Sequence, residues 1–190
     1  MLAKEDIGYF AYHYLDMDIP YHQRNWFELL DSIPRLVLLS PRDHGKTTSV
    51  CRVYVEHKSL FIPNHRTLLF SKSGSQSIKS LKTIIADLTK NVKIKRDFRD
   101  ELESFRKFKN QVWLNIDKTQ RDATIEADGL MGSITGGHFD TIISDDLQDE
   151  ENTRTSYQIS MVQQWFNGTV TPLLEPEGNM AVVGTRKVVS

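Results

Sequence analysis

The stretch Arg35-Leu-Val-Leu-Leu-Ser-Pro-Arg-Asp-His-Gly-Lys-Thr-Thr48 decides the fold. A short apolar run, Leu36 to Leu39, feeds a tight loop, and a helix is expected to open on Gly45-Lys46-Thr47. This strand–loop–helix order suits a triphosphate. Backbone N–H groups of the loop and first helical turn point at the phosphates, a lysine reaches the β and γ groups, and a hydroxyl joins Mg²⁺. Ser40, Arg42, Asp43, His44, Gly45, Lys46, Thr47 and Thr48 are therefore the candidate nucleotide-binding residues. The loop departs from the usual pattern twice: Ser40 stands where a glycine is expected, and Arg42 sits inside it. By average residue usage a Gly-Lys-[Ser/Thr] triplet arises by chance in roughly one chain in ten of this length, so the preceding strand carries the argument.

The rest of the composition is compatible with one α/β domain. The chain has 190 residues, of which 39% are hydrophobic and 26% charged, and this suits a globular core. No apolar run reaches membrane-spanning length, and the N-terminus lacks a signal-peptide core, so no membrane partner is expected. The single cysteine, Cys51, cannot form an internal disulfide and is expected on the apolar side of a helix. Net charge is −1, which gives no global sign of a nucleic-acid partner. Locally, Lys90 to Lys109 carries eight Lys/Arg against four acids. That run is either a solvated helix with i,i+4 pairs or a surface that touches DNA phosphates.

Along the chain, helices are expected over 4–16 and 21–31, with a break at Ile19-Pro20. Strand 35–40, helix 46–60 and strand 67–71 follow. Helix 75–89 has the strongest pattern, with Ile78, Leu81, Ile84, Ile85 and Leu88 at helical spacing. Residues 95–108 are expected to be helical. Gln111–Ile116 and Ala123–Ala127 read as a hairpin around Asp117–Gln120. A glycine-containing loop over 128–138 leads into strand 139–144. A helix over 153–166, a turn at Pro176–Gly178 and strand 179–184 complete the series. Alternating strands and helices predict a mostly parallel central sheet flanked by helices, with a helical N-terminal segment, 1–34, ahead of a core spanning 35–190. The chain stops directly after the last strand, which reads as an incomplete C-terminus.

The second half of the chemistry is Phe139-Asp-Thr-Ile-Ile-Ser-Asp-Asp146. A strand ending in two acids sets them at the sheet edge where α/β folds bind ligands. Asp145 is placed to hold Mg²⁺, and Asp146 to orient or deprotonate the attacking water. Arg42 has the chemistry to stabilise charge on the transferring phosphoryl group, so Lys46, Arg42 and Asp146 form the candidate catalytic set. Gln23, about twenty residues before the loop, carries an amide that matches the donor and acceptor edge of adenine. Gly184, Thr185 and Arg186 end the last strand and can bring a hydroxyl and a cation toward the γ-phosphate.

Together these stretches resemble the ATPase domain of large terminase subunits, the DNA-packaging motors of tailed bacteriophages. Tyr21-His-Gln-Arg24 resembles the adenine motif of that family. Ser40–Thr48 resembles its deviant phosphate loop, with an arginine three residues before the glycine. Ile134–Asp146 resembles its Gly-rich lead into the acidic strand, and Thr171–Gly178 running into Val182–Arg186 resembles the segment ending in its coupling motif. Asp146 departs from many relatives, which carry glutamate there.

The resemblance implies a P-loop NTPase fold of the additional-strand catalytic-glutamate type and Mg²⁺ with ATP as cofactor. It also implies translocation of double-stranded DNA into a procapsid in the host cytoplasm. Implied partners are double-stranded DNA, a portal protein, a small terminase subunit and further copies of the chain in a ring. The family's nuclease domain would lie outside this chain, so no DNA cutting is expected of it. Two other readings share the motifs: a helicase-like nucleic-acid-dependent ATPase, and a nucleotide-binding assembly module without turnover.

Overall fold

A computed structural model describes residues 2–114, 122–132, 134, 137–147 and 155–185. Two short helices come first, α1 (Leu2–Glu5) and α2 (Ile7–Leu15). The single helix expected over 4–16 is thus broken, because Asp6 is extended and caps α2 by accepting from the Tyr9 amide at 3.0 Å. Helix α3 (Tyr21–Ser32) follows Pro20 and buries Trp26, Phe27 and Leu30. Strand β1 (Arg35–Leu39) enters the loop over 40–45.

Helix α4 (Lys46–Thr48) continues into a wider π-helical stretch, Ser49–Tyr54, and then into α5 (Val55–Phe61). Strand β2 (Thr67–Ser71) is buried along its whole length, as its Leu-Leu-Phe centre requires. Helix α6 (Gly74–Lys90) buries Leu81, Ile84 and Leu88 on one stripe. Its start lies so close to the neighbouring strand that a Cβ on Gly129 would stand 2.5 Å from the Gly74 nitrogen, so Gly129 must lack a side chain.

The charged run differs from expectation. Helices α7 (Val92–Asp97) and α8 (Arg99–Glu103) use its first half. Its second half is strand β3 (Arg106–Phe108), which turns through Lys109 in a left-handed conformation and pairs antiparallel with β4 (Gln111–Trp113). Phe105 and Phe108 keep a helical i,i+3 spacing in the sequence, but the left-handed turn at Lys109 folds 106–108 back as an exposed edge strand on β4. Strand β4 pairs antiparallel with β5 (Ile125–Gly129), in agreement with the expected hairpin; its connection over 117–120 lies outside the described residues.

Strand β6 (Phe139–Asp145) is followed by α9 (Ser156–Trp165), which opens on a reciprocal cap between Thr155 and Gln158. A π-helical stretch, Phe166–Val170, and a short 3₁₀ turn, Thr171–Leu173, lead into β7 (Leu174–Gly184). The turn expected at Pro176–Gly178 is absorbed into β7 as a bulge: Phe139 pairs with Leu174 but Thr141 pairs with Asn179.

The seven strands are ordered β1-β7-β6-β2-β5-β4-β3. The first five run parallel, β4 runs against them, and β3 pairs antiparallel with β4. The mostly parallel sheet flanked by helices is the expected architecture, with the extra strand β7 between the loop strand β1 and the acidic strand β6. Alternate strand residues feed two cores. Leu38, Leu69, Ile143 and Val183 face α2 to α6, while Leu68, Phe70, Ile142 and Met180 face α9 and the turn after it. No helix among the described residues is long and apolar enough to cross a membrane.

Candidate nucleotide-binding site

Ser40 to Gly45 bridge the end of β1 and the start of α4. Asp43 and Gly45 take left-handed conformations, φ 61° and 75°, which bend the loop tightly over the helix N-terminus. Lys46 is buried, and its Nζ donates to the Ser40 carbonyl at 2.8 Å and the Pro41 carbonyl at 2.6 Å. The lysine thus folds back over its own loop, held at the place where triphosphate oxygens would compete with those carbonyls. Thr47 Oγ1 donates to Asp145 Oδ2 at 2.6 Å across 98 residues of sequence. The loop and the acidic strand, predicted from two separate motifs, therefore meet.

Asp145 is 5% exposed, and its other oxygen, Oδ1, lacks a hydrogen-bond partner among the described residues. Burial holds its carboxyl above the ordinary carboxylate range. The Asp146 charge adds to this, while the Thr47 bond and Lys46 oppose it. A buried carboxylate with one orphaned oxygen beside a threonine hydroxyl is an all-oxygen donor set of the kind a small divalent cation takes. The residues present therefore fit Mg²⁺, which Thr47 and Asp145 would hold. Cys51, one turn further along the helix, is buried against the same acid, and burial pushes its thiol up, with Asp145 adding to the effect.

Asp146 turns out of β6 in a left-handed conformation, φ 44°, and its amide donates to the Val183 carbonyl at 2.9 Å. This aims an exposed carboxylate away from the sheet, one residue beyond the buried one. Arg42 is exposed, and its guanidinium has no partner among the described residues, so it can reach a phosphate. Asp43 and His44 are exposed as well, and His44 Nδ1 closes the loop on the Arg42 carbonyl at 2.8 Å. Thr48 is half-buried in the first helical turn.

Gly184 pairs with Leu39, and its carbonyl accepts from the Ser40 amide at 3.2 Å, which brings Gly184 and Thr185 beside the start of the loop. Arg186 lies outside the described residues, as do Asp149, Glu150 and Glu151. Gln23 sits under the loop. Its Nε2 donates to the His44 carbonyl at 2.8 Å, and its Oε1 accepts from Ser49 Oγ at 2.5 Å. Sequence reasoning misses Ser49. Its position four residues after Gly45, one helical turn on, is the signal that places it on the same face.

No family model matches the sequence, and no curated protein sequence matches it. Solved structures do. A single-substitution variant of the large terminase ATPase domain of Thermus phage P74-26 superposes with a TM-score of 0.62 at 14% identity, covering 94% of this chain and 70% of that one. The unsubstituted domain gives a TM-score of 0.60 at 14% identity, covering 94% and 69%. The fold is that of a large-terminase ATPase domain. In the terminase-type fold adopted here, the loop after β1 and the two acids at the end of β6 lie at the C-terminal edge of the parallel sheet, on either side of β7, where such sheets bind ligands.

Proposed function

We propose that this chain hydrolyses ATP with Mg²⁺ and that turnover drives double-stranded DNA into a viral procapsid, as the ATPase domain of a large terminase subunit. The observation that carries the reading is the closure of Thr47 on Asp145 at 2.6 Å, with an orphaned carboxylate oxygen and an outward-facing Asp146 next to it. That combination on a terminase-type fold supports turnover over mere nucleotide storage. When bound, Mg²⁺ supplies neutralisation of charge on the phosphate oxygens. Lys46 and the loop amides bind the β and γ phosphates, and Arg42 stabilises charge on the transferring group. Asp146 orients the water and takes its proton.

The proposed setting is the cytoplasm of a phage-infected bacterial cell, with a portal protein, a small terminase subunit and further copies of the chain in a ring. The duplex contact is proposed on the β3–β4 hairpin and not on the preceding helices. Lys93 is engaged by Asp16 at 2.7 Å and Arg96 by Asp97 at 2.6 Å. Arg106, Lys107 and Lys109 are exposed and form no ion pair among the described residues, and Phe108 stands 62% exposed between them. Arg106 lies over the Trp113 ring at 4.7 Å, which holds its guanidinium on the face of the hairpin.

The test is ATP hydrolysis with and without double-stranded DNA. Wild type is expected to turn over and Lys46→Ala to lose both binding and turnover; equal turnover in the two proteins would refute the proposal. Neutralising Arg106, Lys107 and Lys109 is expected to flatten the salt dependence of DNA binding by about one slope unit for each phosphate no longer neutralised, whereas neutralising Lys93 and Arg96 leaves it unchanged.

A further inference from the structure

We infer that Gln23 is a positioning residue that locks the phosphate loop in its triphosphate-binding shape and so governs affinity for the phosphate chain of any nucleoside triphosphate. This rests on the reading of Ser40–Thr48 as a triphosphate site. Gln23 stands in the first turn of α3, which is anchored to the core by Trp26, Phe27 and Leu30, so its backbone is fixed. Its side chain is itself buried, 9% exposed. One end of the amide donates to the His44 carbonyl at 2.8 Å, and the other accepts from Ser49 Oγ at 2.5 Å. His44 and Ser49 flank Gly45–Thr48, the residues that carry the lysine and the metal-facing hydroxyl. A single planar group thus ties both ends of the working segment to a helix outside it.

The chemistry of the position requires this side chain. An amide presents a donor and an acceptor at a fixed separation. A carboxylate would set an acceptor against the His44 carbonyl, and an alanine would leave that carbonyl and the fully buried Ser49 without their partner. The packing is equally specific. Gly45 is left-handed at φ 75°, and a Cβ there would stand 2.5 Å from Gln23 Nε2, so the loop backbone rests directly on the amide. A glutamine reading an adenine edge turns its donor and acceptor outward together. Here both are directed inward, onto the loop and the helix.

The experiment measures affinities of the full chain for Mg·ATP, Mg·GTP and inorganic tripolyphosphate by calorimetry, with melting temperature taken without ligand. Gln23→Ala is expected to weaken all three ligands by a common factor, on the order of tenfold. Gln23→Glu should weaken them at least as much. Ser49→Ala should give a smaller loss, and combining it with Gln23→Ala should add little, because both remove the same link.

Loss of ATP affinity with tripolyphosphate binding unchanged would overturn the inference and make Gln23 a base reader. A lowered melting temperature with all three affinities intact would also overturn it, leaving a purely structural contact. Wild-type protein that binds none of the three would remove the triphosphate reading itself and this inference with it, a result distinct from either.

Discussion

The two ends of strand β6 carry the same side chain and use it in opposite ways. At the start of the strand, Asp140 accepts from the Arg66 amide at 2.8 Å and from its guanidinium Nε and Nη2 at 3.2 and 3.3 Å. The same arginine reaches Glu175 at 2.7 Å and Asp122 at 3.5 Å. At the end of the strand, Asp145 is more buried yet accepts the Thr47 hydroxyl on one oxygen, has the Cys51 thiol beside it, and leaves Oδ1 without a hydrogen-bond partner among the described residues. A buried carboxylate that is only half satisfied is a poor device for stability. The contrast sets an acid satisfied by the fold against one left half satisfied, and under the proposed function the C-terminal end of the sheet is the working end.

The largest effect that tests this contrast comes from substituting each acid in turn. Asp145→Ala is expected to abolish Mg-dependent nucleotide binding while leaving the melting temperature unchanged or raised, because it removes a costly buried charge. Asp140→Ala is expected to do the reverse. It should cost about 2 kcal/mol, a fall of roughly 5 °C in a chain of this size, with nucleotide affinity intact. If Asp140→Ala weakens nucleotide binding, or Asp145→Ala melts the fold, the division between the two ends is wrong.

A smaller effect sharpens the description of the structural end. His65 packs there with Nε2 at 3.0 Å from Thr141 Oγ1. Burial lowers its pKa to about 4, with Asp140 opposing and Lys58 and Arg66 adding to the fall. Above the ordinary value of 6.5 the ring is neutral in both folded and unfolded chains, so it leaves stability unchanged. Between 6.5 and about 4 the unfolded chain binds a proton that the folded chain refuses, so stability falls as the pH falls through that window. At pH 5 the loss from this residue is about 2 kcal/mol. Melting curves at pH 7 and pH 5 should show a drop that His65→Gln partly removes. His57, also lowered to about 4 by burial, supplies a similar drop that His65→Gln leaves in place.

Much of this is legible in the sequence, for identifiable reasons. The apolar runs at 35–39, 67–71 and 139–145 are short, bounded and too strand-like to be anything else, and α6 repeats its apolar stripe over four turns. The meeting of the 40–48 loop with the acidic pair is foreshadowed because both motifs sit at the ends of apolar strand-like runs, and Thr47 and Asp145 do come together. Residues 104–110 mislead because charge density alone does not choose between helix and hairpin; the choice is made by Val112 and Ile125 needing cover, with β3 as the outer edge. The bulge in β7 is hidden because Pro176 and Gly178 look the same in a bulge as in a turn. The Gln23–Ser49 link is hidden because it joins side chains on two separate helices; the spacing from Gly45 gives the face Ser49 occupies but not its partner.

The central claim is that this site hydrolyses ATP using Asp146, and the most direct measurement is Mg·ATP binding and single-turnover hydrolysis in Asp146→Asn. The substitution preserves size and the left-handed turn at φ 44°, which asparagine tolerates, and removes only the carboxylate. The expected result is nucleotide affinity close to wild type with hydrolysis reduced by about a hundredfold or more, the contribution of a positioned general base. Hydrolysis at the wild-type rate in Asp146→Asn would contradict the account.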